Sequence, residues 1–130
     1  MIIDTSAIIA ILFNEADAKT FAQAITQANS CRVSAATFVE IATVVEAQTN
    51  SSSGRQLDAF FRRAGIAIEP VTEEHAHIAR QAFTDYGKGR HPAGLNYGDC
   101  FSYALAKSTG EPLLFKGKDF AKTDLLAAAT

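Results

Sequence analysis

The chain is 130 residues long, 48% apolar and 20% charged, with 12 Lys+Arg set against 14 Asp+Glu for a net charge of −2. These figures exclude a disordered chain and a protein that grips nucleic acid by bulk positive charge, while leaving room for a local basic rim. A single domain over 1–130 is expected, large enough to fold without disulfides or structural zinc. Cys31 and Cys100 are too few for a disulfide framework, so a reduced, cytoplasmic chain is expected. The longest apolar run, Ala7 to Phe13, is too short to cross a bilayer. It follows Asp4 rather than a basic stretch, so it does not read as a leader.

In chain order, Met1-Ile2-Ile3-Asp4 reads as a buried strand ending on a carboxylate. A helix over Thr5 to Phe13 follows, with Asp4 or Thr5 as its cap. Glu15 to Ala28 reads as a second helix, because Phe21, Ala24, Ile25 and Ala28 recur at helical spacing. Cys31 to Ser34 is a short strand feeding an apolar helix from Ala35 to about Thr49. Asn50-Ser51-Ser52-Ser53-Gly54 is a polar break, and Gln56 to Ala64 a returning helix. Ile66 to Glu69 is a third strand closed by Pro70. Thr72 starts a long helix to about Tyr86, and Lys88 to Gly94 is a loop by composition. Asn96 caps a helix to Ser108, Leu113 to Phe115 is a fourth strand, and Lys118 to Lys122 one helical turn. Strands alternating with helices predict an α/β fold, a mainly parallel sheet covered on both faces. Reactive groups in such sheets collect beyond the carboxyl ends of the strands.

Four acids fall where that rule points. Asp4 follows the first strand, Asp119 lies beyond the fourth, and Asp99 sits in the first turn of the Asn96 helix. Glu40 lies in the apolar helix between Val39 and Ile41. Asp4 and Asp99 also suit helix capping, Thr37 to Glu40 fits the same box pattern, and Asp119 suits a solvated turn. Capping does not explain Glu40, whose carboxylate in apolar surroundings needs a partner. Clustered carboxylates resist ionising together unless a cation joins them. Oxygen-only donors favour Mg²⁺ or Mn²⁺ over zinc. Mg²⁺ keeps several waters, and one of them can attack a phosphodiester. The expected chemistry is therefore phosphate-ester hydrolysis.

Four stretches carry a family resemblance: Ile2-Ile3-Asp4-Thr5-Ser6-Ala7, Ser34 to Glu40, Leu95-Asn96-Tyr97-Gly98-Asp99-Cys100 and Leu114 to Phe120. Together they resemble, in order, the motifs of PIN-domain ribonucleases, and most nearly the VapC toxins of toxin–antitoxin pairs. The resemblance implies a three-layer α/β/α sandwich and a Mg²⁺- or Mn²⁺-dependent endoribonuclease leaving 5′-phosphate and 3′-hydroxyl ends. It makes Asp4 and Asp99 the principal metal ligands, with Glu40 and Asp119 completing the pocket and Ser6 orienting Asp4 or a metal-bound water. Asp124 either touches the outer shell or ties down the last segment. A homodimer inhibited by a small VapB-like antitoxin is implied, as are structured RNA targets such as tRNA anticodon loops.

Such a nuclease needs local cations. Lys88, Arg90 and His91 precede the Asp99 helix, and Lys116 and Lys118 precede Asp119, so both groups are expected at the cleft rim. Ordinary solvated loop charge is the competing reading for each. Arg62 and Arg63 read as a solvent-facing helix edge. His75 and His77, two apart on a helix, do not form a metal pair. Tyr97 and Tyr103 could stack a base, with core packing the stronger reading for Tyr103. Ile41, Val44 and Val45 read as core or dimer interface. A HAD-type phosphatase would need an acid where Ser6 stands, and a receiver domain would need paired acids after an early strand. The remaining alternative is a PIN-like module that binds RNA or antitoxin without cutting.

Overall fold

The computed structural model describes residues 1–48 and 53–130. Four strands form one parallel sheet: β1 (Ile2–Ile3), β2 (Cys31–Ser34), β3 (Ile66–Glu69) and β4 (Leu113–Leu114), in spatial order β3-β2-β1-β4. Sequential strands thus run outward from β1 in one direction, then the chain returns to add β4 on its other side. The reversal between β1 and β4 is the topological switch point of the sheet.

Among the described residues six helices cover the sheet: α1 (Thr5–Leu12), α2 (Ala18–Gln27), α3 (Ala35–Gln48), α4 (Ser53–Ala64), α5 (Glu73–Tyr86) and α6 (Tyr97–Thr109). Strand alternation decides which face each residue serves. Ile3 and Leu114 pack with Ile8, Phe21, Ile41 and Leu57 of α1 to α4. Ile2 and Leu113 point the other way, into a second core with Ala82, Tyr103 and Leu105 of α5 and α6. Each face is apolar and each is roofed by helices, which is the α/β/α arrangement the motifs implied. β1 and β4 are only two residues long each, yet all four of their side chains are buried.

Several boundaries differ from the sequence reading. The second helix begins at Ala18 rather than Glu15, because Asn14 adopts a left-handed backbone (φ 53°) that ends the first helix in a turn. Phe115 leaves the fourth strand, and its ring packs on Phe120 at 5.4 Å. The predicted turn before Lys122 is a 3₁₀ turn over Phe120–Lys122. Thr49 and the 50–52 part of the polar break lie outside the described residues, and α4 starts at Ser53, ahead of the expected Gln56.

The tail shields the outer edge of β4, where Leu113 N–H donates to Leu126 O and Ala128 N–H to Leu113 O. Covering an edge this way blocks its unpaired amides from other strands. Cys31 and Cys100 are free and buried, and burial pushes the Cys100 thiol up to about 11. Among the described residues no helix is long and apolar enough to cross a membrane.

Candidate active site

Asp4 leaves β1 in extended backbone (φ −84°, ψ 158°) and caps α1. Its Oδ2 accepts from the Ser6 amide (3.0 Å) and the Ser6 hydroxyl (2.7 Å). Its Oδ1 accepts from the hydroxyl of Ser102 in α6, at 2.6 Å. Ser6 Oγ in turn accepts from the Lys116 amide (2.9 Å), which ties the loop after β4 to the end of β1. Capping and a place at the switch point are therefore not rival positions for Asp4, because the helix N-terminus and the switch point coincide.

Asp99 also caps its helix. Asn96 Oδ1 accepts from the Asp99 amide (2.9 Å), and Asp99 Oδ2 accepts from the Asn96 amide (3.0 Å), a closed capping box at the start of α6. No hydrogen bond to Asp99 Oδ1 is made among the described residues. The Asp99 carboxyl is pushed up to about 6. Burial is the largest cause, opposed by the Asn96 amide and reinforced by the negative charges of Asp4, Glu40 and Asp119. Four acids from four segments of the chain therefore share one electrostatic neighbourhood.

Glu40 reaches this neighbourhood from α3 and accepts a short hydrogen bond from the Thr5 hydroxyl. The half-buried carboxylate thus has a neutral donor as well as acidic neighbours. Its position depends on Gly98: a Cβ there would meet Glu40 Oε2 and push the carboxylate aside. Asp119, exposed at the start of the 3₁₀ turn, makes no side-chain cap bond.

The donor set fits a hard divalent cation. All four groups are carboxylates, and the like charge that raises Asp99 is what such an ion would offset. Among the described residues no three acidic, imidazole or thiol side chains close around one point as a complete ligand set. Mg²⁺ does not require that, since it is held by one or two carboxylates and keeps its waters.

The expected basic rim is placed unevenly. Lys116 stands at the site through its amide, but its ammonium pairs with Glu15 and lies 3.4 Å from Asp17. Those acids hold it protonated, its pKa raised chiefly by the Glu15 hydrogen bond. The Arg90 guanidinium lies over the Phe83 ring (5.8 Å), and His91 packs edge-on against Tyr86 while its Nδ1 accepts from the Ala93 amide. Lys88 and Lys118 are exposed, with no side-chain ion pair among the described residues. Tyr97 is 71% exposed, whereas Tyr103 is buried and donates to Asp124. Asp124 also accepts from Lys107, so it ties the tail to α6. His75 Nε2 hydrogen-bonds Ser108. Sequence reading missed Ser102, Thr37, Thr5 and Gly98. Ser102 stands three residues after Asp99 and Thr37 three before Glu40, a helical turn in each case, and that spacing is the signal that points to them.

Comparison with known proteins agrees with this geometry. Residues 1–126 match the PIN domain family. A VapC ribonuclease of Mycobacterium bovis is 49% identical over 129 residues, covering 99% of this chain and 98% of its own length. The ribonuclease VapC of Mycolicibacterium smegmatis is 50% identical over 127 residues, covering 98% of each chain. In three dimensions the chain resembles the crystal structure of Mycobacterium tuberculosis VapC20, described as a sarcin-ricin loop cleaving toxin, with a TM-score of 0.78, 16% identity and 99% and 98% of the two chains covered. It also resembles VapBC-1 from nontypeable Haemophilus influenzae, with a TM-score of 0.72, 21% identity and 97% and 94% covered. A sheet whose switch point gathers acids from four segments, with this degree of likeness along the whole chain, places the protein in the PIN domain family, among the VapC ribonucleases.

Proposed function

We propose that the chain is the toxin of a toxin–antitoxin pair, an endoribonuclease that hydrolyses RNA at the acidic switch point with Mg²⁺ or Mn²⁺ held by Asp4 and Asp99. Glu40 and Asp119 complete the pocket, directly or through water. The observation that carries this reading is that acids from three other segments stand close enough to Asp99 for their charge to add to burial in pushing its carboxyl up. A bound divalent cation would supply an activated water and offset charge developing on the phosphate.

The chain's own residues prepare that chemistry. Ser6 holds Oδ2 of Asp4 through two hydrogen bonds, so the first carboxylate arrives oriented. The capping box fixes Asp99 by Oδ2 and leaves Oδ1 for a ligand. Thr5 holds Glu40 by Oε1, against the space that Gly98 leaves open. Lys88, Lys118 and Arg90 are assigned to phosphate contacts, which position RNA without reading its bases. His91 and Lys116 are assigned there more narrowly, since each is already engaged by a neighbour. A VapB-like antitoxin is the proteinaceous partner. A homodimer belongs to the same reading and rests on the exposed apolar side chains of Val39 and Tyr97.

Replacing Asp4 or Asp99 by Asn tests the proposal. Loss of a ligand that stabilises charge by several kcal/mol should lower cleavage on the order of 10³-fold. The fold should survive, as judged by circular dichroism. If RNA fragment patterns from Asp99→Asn and the wild type were identical, the non-cleaving module would be the better account.

A further inference from the structure

We propose that Ser102, backed by Thr37, is a positioning residue that fixes the Asp4 carboxylate for divalent-cation binding. The inference rests on the reading of Asp4 as a metal ligand and deepens it.

Ser102 is fully buried, Thr37 is 1% exposed and Asp4 3% exposed, so no solvent competes for these oxygens. Ser102 Oγ lies 2.6 Å from Asp4 Oδ1, and Thr37 Oγ1 lies 3.2 Å from Ser102 Oγ. A carboxylate only accepts, so Ser102 spends its one proton on Asp4 and must then accept from Thr37. The chain of donors runs one way, from α3 through α6 to the end of β1.

Hydroxyls inside helices ordinarily bond the carbonyl one turn back. Thr26, Thr84 and Thr109 do so here. Among the described residues Ser102 and Thr37 make no such bond and turn instead toward Asp4. The outer torsion of an aspartate is broad and nearly two-fold, so a single donor leaves its plane loose. Ser6 holds Oδ2 from one side and Ser102 holds Oδ1 from the other, which defines that plane. Outer partners of this kind orient metal ligands and tune their affinity.

The test is Mn²⁺ affinity of the full chain without RNA, measured by titration calorimetry, with single-turnover cleavage alongside. Ser102→Ala should weaken Mn²⁺ binding about 10-fold and lower kcat about 10- to 100-fold, with KM for RNA nearly unchanged. Thr37→Val should show a smaller loss of the same kind, and Thr37→Ser, which keeps the hydroxyl, should restore wild-type behaviour. That pair carries the test even where Ser102→Ala folds poorly. Asp99→Asn serves as the reference. Wild-type Mn²⁺ affinity in Ser102→Ala and Thr37→Val, with Asp99→Asn impaired, overturns the positioning role and spares the metal site. Wild-type affinity in Asp99→Asn as well overturns the metal site itself.

Discussion

Asp99 and Asp124 are both bound to α6, and their surroundings drive them in opposite directions. At the far end of the helix, Lys107 Nζ and the Tyr103 hydroxyl each approach Asp124 at 2.6 Å and hold its carboxyl below the usual range. At the near end, Asp99 is half-buried among three other acids, and its carboxyl is pushed up to about 6. The protein supplies its own cation to one aspartate and withholds it from the other. A stabilising network would have paired both, as Arg32 pairs with Glu69 and Glu111 elsewhere in the sheet. In the proposed function, the uncompensated end is the one that takes an external cation.

The sharpest way to break this comparison is to neutralise each aspartate in turn. Asp99→Asn should reduce RNA cleavage on the order of 10³-fold. Asp124→Asn should leave cleavage at the wild-type level and lower thermal stability slightly, because the Lys107–Asp124 pair is solvent-exposed. Equal effects of the two changes on cleavage would erase the distinction between the helix ends.

Gly98→Ala should come next in size. The added Cβ displaces the Glu40 carboxylate, and a shift of about 1 Å at a reacting site costs up to about 10²-fold in rate. Steady-state cleavage should fall while α6, capped by Asn96 and Asp99, keeps its helicity. Undiminished cleavage would remove Glu40 from the site.

The smallest effect concerns pH. The folded Asp99 carboxyl binds its proton more tightly than the unfolded chain does, about 6 against 3.8. Between those values the folded state keeps a proton that the unfolded state has released, so metal-free stability should fall as pH rises across that window. Below it both states are protonated, and above it the penalty is complete. Denaturant melts of the metal-free chain at a series of pH values should show this slope, and Asp99→Asn should flatten it.

Much of this was legible because it follows from local rules. Ile2 and Ile3 before Asp4, and Leu113 and Leu114 before the Asp119 turn, mark strands whose ends meet wherever the sheet is parallel. Asn96 and Asp99 read as a capping box, and the box exists. The residual features depend on contacts between distant segments. Lys116 turns its ammonium to Glu15 and Asp17, near the start of the chain, and no spacing rule places them together. The tail strand on β4 lacks an alternating pattern, since its pairing is edge protection rather than core burial. Gly98 carries no sign of its role until the Glu40 carboxylate is seen against it. Asp124 left two roles open in the sequence, and no spacing rule places it against Tyr103 and Lys107, whose bonds link the tail to α6.

The central claim is that these acids act through a divalent ion, and one measurement addresses it directly. Purified chain would be incubated with RNA after EDTA treatment, then again after Mg²⁺ or Mn²⁺ is restored in excess, and the product ends sequenced. Cleavage should vanish with the chelator and return with the metal, leaving 5′-phosphate and 3′-hydroxyl ends. Cutting that proceeds unchanged in EDTA would contradict the account.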